Sequence, residues 1–85
     1  MSISSRKQFN YEIAVATIRQ AAERWPTTFL VRAKVTEFTG GLIAVGTLAN
    51  ADSAGTGPEG SFRVGRQVCY NTEKFCDWLI SRLEA

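Results

Sequence analysis

The sequence predicts a small α+β domain, mainly helical, and three observations predict it. Apolar residues recur at helical steps before Pro26 and again after Asn71. Between these stretches, alternating residues around Gly65 read as a hairpin. The chain has 85 residues, which is the length of one domain. A domain of this size buries only ~60–65% of the surface its unfolded chain exposes, so its core is small and little chain is left to wall a deep pocket.

Residues 1–9 are polar and expected to be loose. An accessory N-terminal helix is expected over residues 10–26, ahead of a main unit spanning 27–85. Its apolar stripe is Tyr11, Ala14, Ile18, Ala21, Ala22 and Trp25, at steps of three and four. Asn10 is placed to cap it, Glu12 sits where the helix dipole favours an acid, and Pro26 stops it at Trp25. The stripe is narrow, so this helix is expected either to pack across the domain or to help form a dimer.

Residues 29–54 admit two readings. Phe29, Val31, Ala33 and Val35 fall at every second position, the last three alternating with polar Arg32 and Lys34 as in a strand, and Gly40-Gly41 could turn the chain into a second strand over 42–48. The other reading places a short helix over 33–39, a turn at Gly40-Gly41 and a second helix over about 45–54. Val35, Phe38, Leu42, Val45, Leu48 and Ala51 fall at steps of three or four and favour this second reading. Gly40 and Gly55 are each placed to end a helix in the left-handed conformation.

Thr56-Gly57-Pro58-Glu59-Gly60 is a loop. Residues 61–70 read as a hairpin with Gly65-Arg66-Gln67 at its tip. Pairing 64 with 68 and 62 with 70 places Phe62, Val64, Val68 and Tyr70 on one buried face, with Arg63 on the other. Asn71 is placed to cap a last helix running from Thr72 to about Leu83. The residues Phe75, Cys76, Trp78, Leu79, Ile80 and Leu83 give that helix a broad apolar stripe. Trp25, Trp78 and Tyr70 are expected in the core, with the Tyr70 hydroxyl reaching the surface.

Composition narrows the function classes. The apolar fraction is 45%, ordinary for a globular protein. No apolar run approaches the ~20 residues of a membrane span, and the start lacks the pattern of a secretory signal, so a cytoplasmic location is expected. There are two cysteines, Cys69 and Cys76, expected as free thiols, and no histidine. The commonest general base and the commonest metal ligand are thereby missing, and no carboxylate pair sits among apolar neighbours that would tune it. Neither an enzyme nor a cofactor is expected. The net charge of +2 permits an acidic partner without announcing one. Any binding to nucleic acid must come from where the charges are placed.

The elements arrive as short helix, turn, second helix, hairpin with an arginine at its tip, and capped helix. The residues Lys34-Val35-Thr36-Glu37-Phe38-Thr39-Gly40-Gly41, Thr47-Leu48-Ala49-Asn50, Gly57-Pro58, Phe62-Arg63-Val64-Gly65-Arg66-Gln67-Val68, Tyr70 and Trp78-Leu79 follow in that order. This pattern resembles the excisionase-like branch of the MerR-type winged helix-turn-helix DNA-binding proteins, over roughly residues 29–83. The resemblance implies two short helix-turn-helix helices, a β-hairpin wing and a C-terminal helix, preceded here by an extra N-terminal helix. It further implies a transcription regulator or an excisionase-type factor, of the sort carried by mobile elements, with double-stranded DNA as partner.

Carried over by position, the resemblance implies that the helix from Val45 enters the major groove, with Gly46, Thr47, Asn50 and Ala51 nearest base edges or phosphates. Asn50 is the residue there able to read a base, usually adenine, through two hydrogen bonds. Arg63 and Arg66, with Gln67 beside them, would place the wing on the backbone or in the minor groove. Arg32 and Lys34 would neutralise phosphates from the first helix. The proposed recognition helix carries no Lys or Arg and one acid, Asp52, which shifts the weight of binding onto the wing. One lightly charged module buries only ~600–1,000 Å² on DNA, so a homodimer or cooperative filling of adjacent sites is expected.

Two other functions compete. The strand reading of residues 29–48 gives an α-β-β-β-α order that resembles double-stranded-RNA-binding modules. Those carry a basic run at the start of the last helix, where this chain has Asn71-Thr72-Glu73-Lys74. The weak charge and the alanine-rich second helix suit a protein-interaction module on a helix-turn-helix scaffold.

Overall fold

The computed structural model describes residues 10–84; the loose stretch expected over residues 1–9 lies outside them. Among these residues, four α-helices and a three-stranded antiparallel sheet make an α+β fold. The elements are α1 (Tyr11–Arg24), β1 (Phe29–Val31), a 3₁₀ turn (Arg32–Lys34), α2 (Val35–Phe38), α3 (Val45–Ser53), β2 (Phe62–Val64), β3 (Gln67–Asn71) and α4 (Thr72–Ser81). No helix among the described residues is long and apolar enough to cross a membrane.

Local chemistry sets the helix ends. The Asn10 side chain accepts from the Ile13 amide at 2.9 Å and the Asn71 side chain from the Lys74 amide at 3.0 Å. Each therefore satisfies one of the amides that a helix start leaves without a partner. Both caps are where the sequence places them, and α1 ends at Arg24, just before Pro26. The last helix closes at Ser81, two residues short of the expected Leu83.

The ambiguous segment combines parts of both readings. Phe29–Val31 is a strand, pairing with β3, and the chain then turns through the 3₁₀ residues into α2 and, after Gly40-Gly41, into α3. The second strand expected over 42–48 is not formed: those residues make the turn and the first half of α3. The α-β-β-β-α order therefore does not hold. Gly40 has φ +63° and ends α2 in the left-handed conformation, as expected. The Thr39 hydroxyl donates to the Val35 carbonyl at 2.8 Å and accepts from the Ile43 amide at 3.0 Å, fixing the turn between α2 and α3.

The hairpin register differs by one residue from the expected one. Val64 pairs with Gln67, Arg63 with Val68 and Phe62 with Cys69, so Gly65-Arg66 forms a two-residue turn and Gln67 belongs to β3. Gly65 has φ +62°, a backbone that a two-residue hairpin turn needs and glycine supplies cheaply. The slip moves the β2 side chains to the opposite face, while Val68 and Tyr70 of β3 keep the inward side expected of them. Phe62 and Val64, expected in the core, share the outer face with Val31 and Cys69 and are 44% and 63% exposed. Arg63 takes the inner side with Leu30, Val68 and Tyr70.

The core lies between the inner sheet face and the helices. Leu30, Val35, Leu48, Tyr70, Phe75 and Cys76 are fully buried, and Ile18, Ala21, Ala22 and Trp25 of the N-terminal segment pack against them. Phe75 is the hub. Its ring lies 5.6 Å from Phe38, 5.5 Å from Trp78 and 6.3 Å from Tyr70, and Phe38 meets Trp25 edge-on at 5.0 Å. Trp78 donates its indole N–H to the Thr56 carbonyl at 2.7 Å, tying the loop after α3 to α4. Helix α1 packs on α4 within the same chain. Arg19 bridges to Glu73 at 3.0 Å and Asp77 at 2.7 Å, and the Cys76 thiol points to the Ile18 carbonyl at 3.8 Å.

Candidate functional site

Helix α3 and the β2–β3 hairpin stand side by side and enclose an open cleft of about 580 Å³, lined among others by Arg32, Asp52, Ser53, Ser61, Arg63 and Val68. The 3.6-residue period divides α3 in two. Leu48 is buried and Ala51 packs on the core, with Asp52 half-buried beside them. Gly46, Thr47, Asn50 and Ser53 form an exposed, uncharged stripe on the other side. Four of the residues singled out in the sequence therefore divide three to one: Gly46, Thr47 and Asn50 face outward, and Ala51 is turned towards the core.

On the hairpin, Arg63, Arg66 and Gln67 are all exposed. Arg66 sits in the turn and Arg63 on the wall of the cleft. Neither arginine has a carboxylate partner among the described residues. Arg24 at the end of α1 has none either, whereas the other described cations are engaged. Arg19 has Glu73 and Asp77, Lys34 lies 3.7 Å from Glu37, and Lys74 lies 3.7 Å from Glu59. Arg82 stacks over Trp78 at 4.9 Å.

Arg32, to which the resemblance gives a phosphate contact, makes its recorded contacts inside the fold. Its Nη2 donates to Asp52 Oδ2 at 2.6 Å and its Nε to the Tyr70 hydroxyl at 2.9 Å, and the Tyr70 hydroxyl donates to the same Asp52 oxygen at 2.5 Å. Three segments meet in this network: the start of the 3₁₀ turn, the last turn of α3, and β3. The hydroxyl expected to reach the surface is thus engaged inside the fold. The hydrogen bond with Tyr70, and then that with Asp52, raise the guanidinium pKa against the opposing effect of burial. Burial and then the Asp52 carboxylate push the Tyr70 phenol up to about 12, so it stays a neutral donor at ordinary pH. Asp52 also lies against Gly57, where any side chain would collide with the carboxylate.

Sequence reasoning missed this network because its members are 18, 20 and 38 residues apart. The signal present was a lone acid in an otherwise uncharged helix. An isolated half-buried carboxylate needs a partner.

Cys69 and Cys76 are both free and buried. Burial pushes the Cys76 thiol up to about 11, with the Glu73 carboxylate adding to the rise, which leaves it a poor nucleophile at neutral pH. No protein-family model, curated protein or solved structure matches this chain.

Proposed function

We propose that this chain is a small double-stranded-DNA-binding protein of the winged helix-turn-helix kind, with α2 and α3 as the helix-turn-helix and the β2–β3 hairpin as the wing. The observation that carries the reading is the pair of arginines, Arg63 and Arg66, without a carboxylate partner among the described residues, on a hairpin beside the exposed polar stripe of α3. Their fork-shaped guanidiniums suit phosphate oxygens. Asn50, near the middle of that stripe, is the side chain able to read a base edge through two hydrogen bonds. Affinity comes chiefly from the phosphates, since α3 brings no cation of its own, and it falls steeply with salt.

Titrating a labelled random-sequence duplex with wild type and with Arg63→Ala/Arg66→Ala, at low and moderate salt, tests the reading. Salt-sensitive binding that drops in the double variant supports it. Absence of binding at low salt by a folded sample removes it.

One feature favours a second reading, a protein-interaction module. The outer sheet face carries Phe29, Phe62 and Val64, 45%, 44% and 63% exposed, in one apolar patch with Val31. A protein partner seated there would leave binding insensitive to Arg66 and sensitive to Val64.

A further inference from the structure

Arg32 and Arg63 stand on the walls of the same cleft between α3 and the hairpin, yet only Arg63 is open to an anion. Both Arg32 contacts are internal: the Tyr70 hydroxyl at 2.9 Å and the Asp52 carboxylate at 2.6 Å together occupy the Nε–Nη2 edge, one of the two edges through which a guanidinium grips a phosphate with paired hydrogen bonds. Asp52 and Arg32 retain 18% and 24% side-chain exposure, so the pair lies at the cleft surface and not deep within the core. The carboxylate is also fixed in place by the Tyr70 hydroxyl and the close approach of Gly57. A phosphodiester arriving from solution must therefore compete with an acid already oriented towards the same cation.

Resting on the DNA-binding reading above, we infer that Asp52 attenuates DNA affinity: it withholds Arg32 from the phosphate backbone and leaves Arg63 as the one cation available to the cleft among the described residues. The cleft takes one phosphodiester through Arg63, and removing the charge of Asp52 releases Arg32 for a second contact. This accounts for an acid in the helix nearest the DNA. Asp52 sets how tightly the surface holds any duplex, independent of sequence, because phosphate contacts carry no base information.

The test measures binding of a short random-sequence duplex across a salt series for wild type, Asp52→Asn, Arg32→Gln and the double variant, each checked by a thermal melt. Each phosphate contact adds about 0.9 to the slope of log K against log salt. Asp52→Asn is expected to steepen the slope by about 0.9 and to tighten binding roughly five- to tenfold near 0.1 M salt. Arg32→Gln alone should leave the wild-type slope unchanged, and adding it to Asp52→Asn should return the slope to the wild-type value. An unchanged slope in folded Asp52→Asn, or a flatter one in Arg32→Gln, overturns the inference while leaving the DNA reading intact. No salt-dependent binding by any variant, wild type included, overturns both. If Asp52→Asn melts below the assay temperature, the Nε–H resonances of the wild-type arginines decide the matter. Arg63 shifting on addition of duplex while Arg32 stays in place supports the inference, and a shift of Arg32 overturns it.

Discussion

Helices α3 and α4 are of nearly equal length, yet they stand in opposite relation to the fold. Five residues of α4 are buried (Thr72, Phe75, Cys76, Trp78 and Leu79), whereas α3 buries Leu48 alone. The sheet behind them is covered on its inner side and open on its outer one. Helix α4 is a structural strut, gripped by α1 on one side and by the aromatic rings on the other. Helix α3 is held at few points: by Leu48, by the packing of Ala51, and by Asp52 through Arg32 and Tyr70. A helix anchored on one edge presents most of its surface outward, and that is the condition for recognition. Stability and binding should accordingly respond to different residues.

The largest effect is expected on the α4 side. Phe75→Ala removes the ring that touches Phe38, Tyr70 and Trp78 and should cost about 3–5 kcal/mol, read as a collapse of the thermal transition. Next comes the anchor of α3: Leu48→Ala should cost about 2–4 kcal/mol by denaturant titration, enough to loosen the helix from the sheet. A loss at Leu48 equal to that at Phe75 would blur the distinction between the two helices.

The third effect is on pH. Cys76 and Tyr70 have folded-state pKa values of about 11 and about 12, against ordinary values of 9.0 and 10.0. Both rise, so the fold favours the neutral forms. Their contribution is fully present below about pH 9 and is lost as pH climbs from 9 through 12. Melting temperature should fall across that window, and Tyr70→Phe should flatten the part of the fall above pH 10. The smallest effect belongs to Arg19→Ala. Arg19 is 39% exposed and its partners 68% and 53%, so solvent screens the bridges and the cost should stay below about 1 kcal/mol by thermal melt.

Legibility in the sequence divides along the same line. The α4 cap at Asn71, the α1 cap at Asn10 and the apolar stripes are local signals, and a single chain stretch carries each of them. Strand β1 is three residues long and exists through its pairing with Asn71, Tyr70 and Cys69, some forty residues away, which no local period reports. The hairpin register turned on a different point. Alternation alone assigned Phe62 and Val64 to the core, but Cys69 and Tyr70 are adjacent and both buried, so alternation could not choose the face. The backbone of Gly65 and the two-residue turn decide it. At the site, the exposed residues of α3 and the hairpin were legible as positions, while the engagement of Arg32 by Asp52 and Tyr70 depends on tertiary contacts alone.

The most direct test of the division between the two helices is to follow the backbone amides of isotope-labelled protein by NMR while duplex DNA is added at low salt. Shifts confined to α3, the Gly65-Arg66 turn and the adjoining ends of β2 and β3, with α1 and the outer face of α4 unmoved, are the predicted result. Shifts centred on α1 and α4, or none anywhere in the folded protein, would contradict the account.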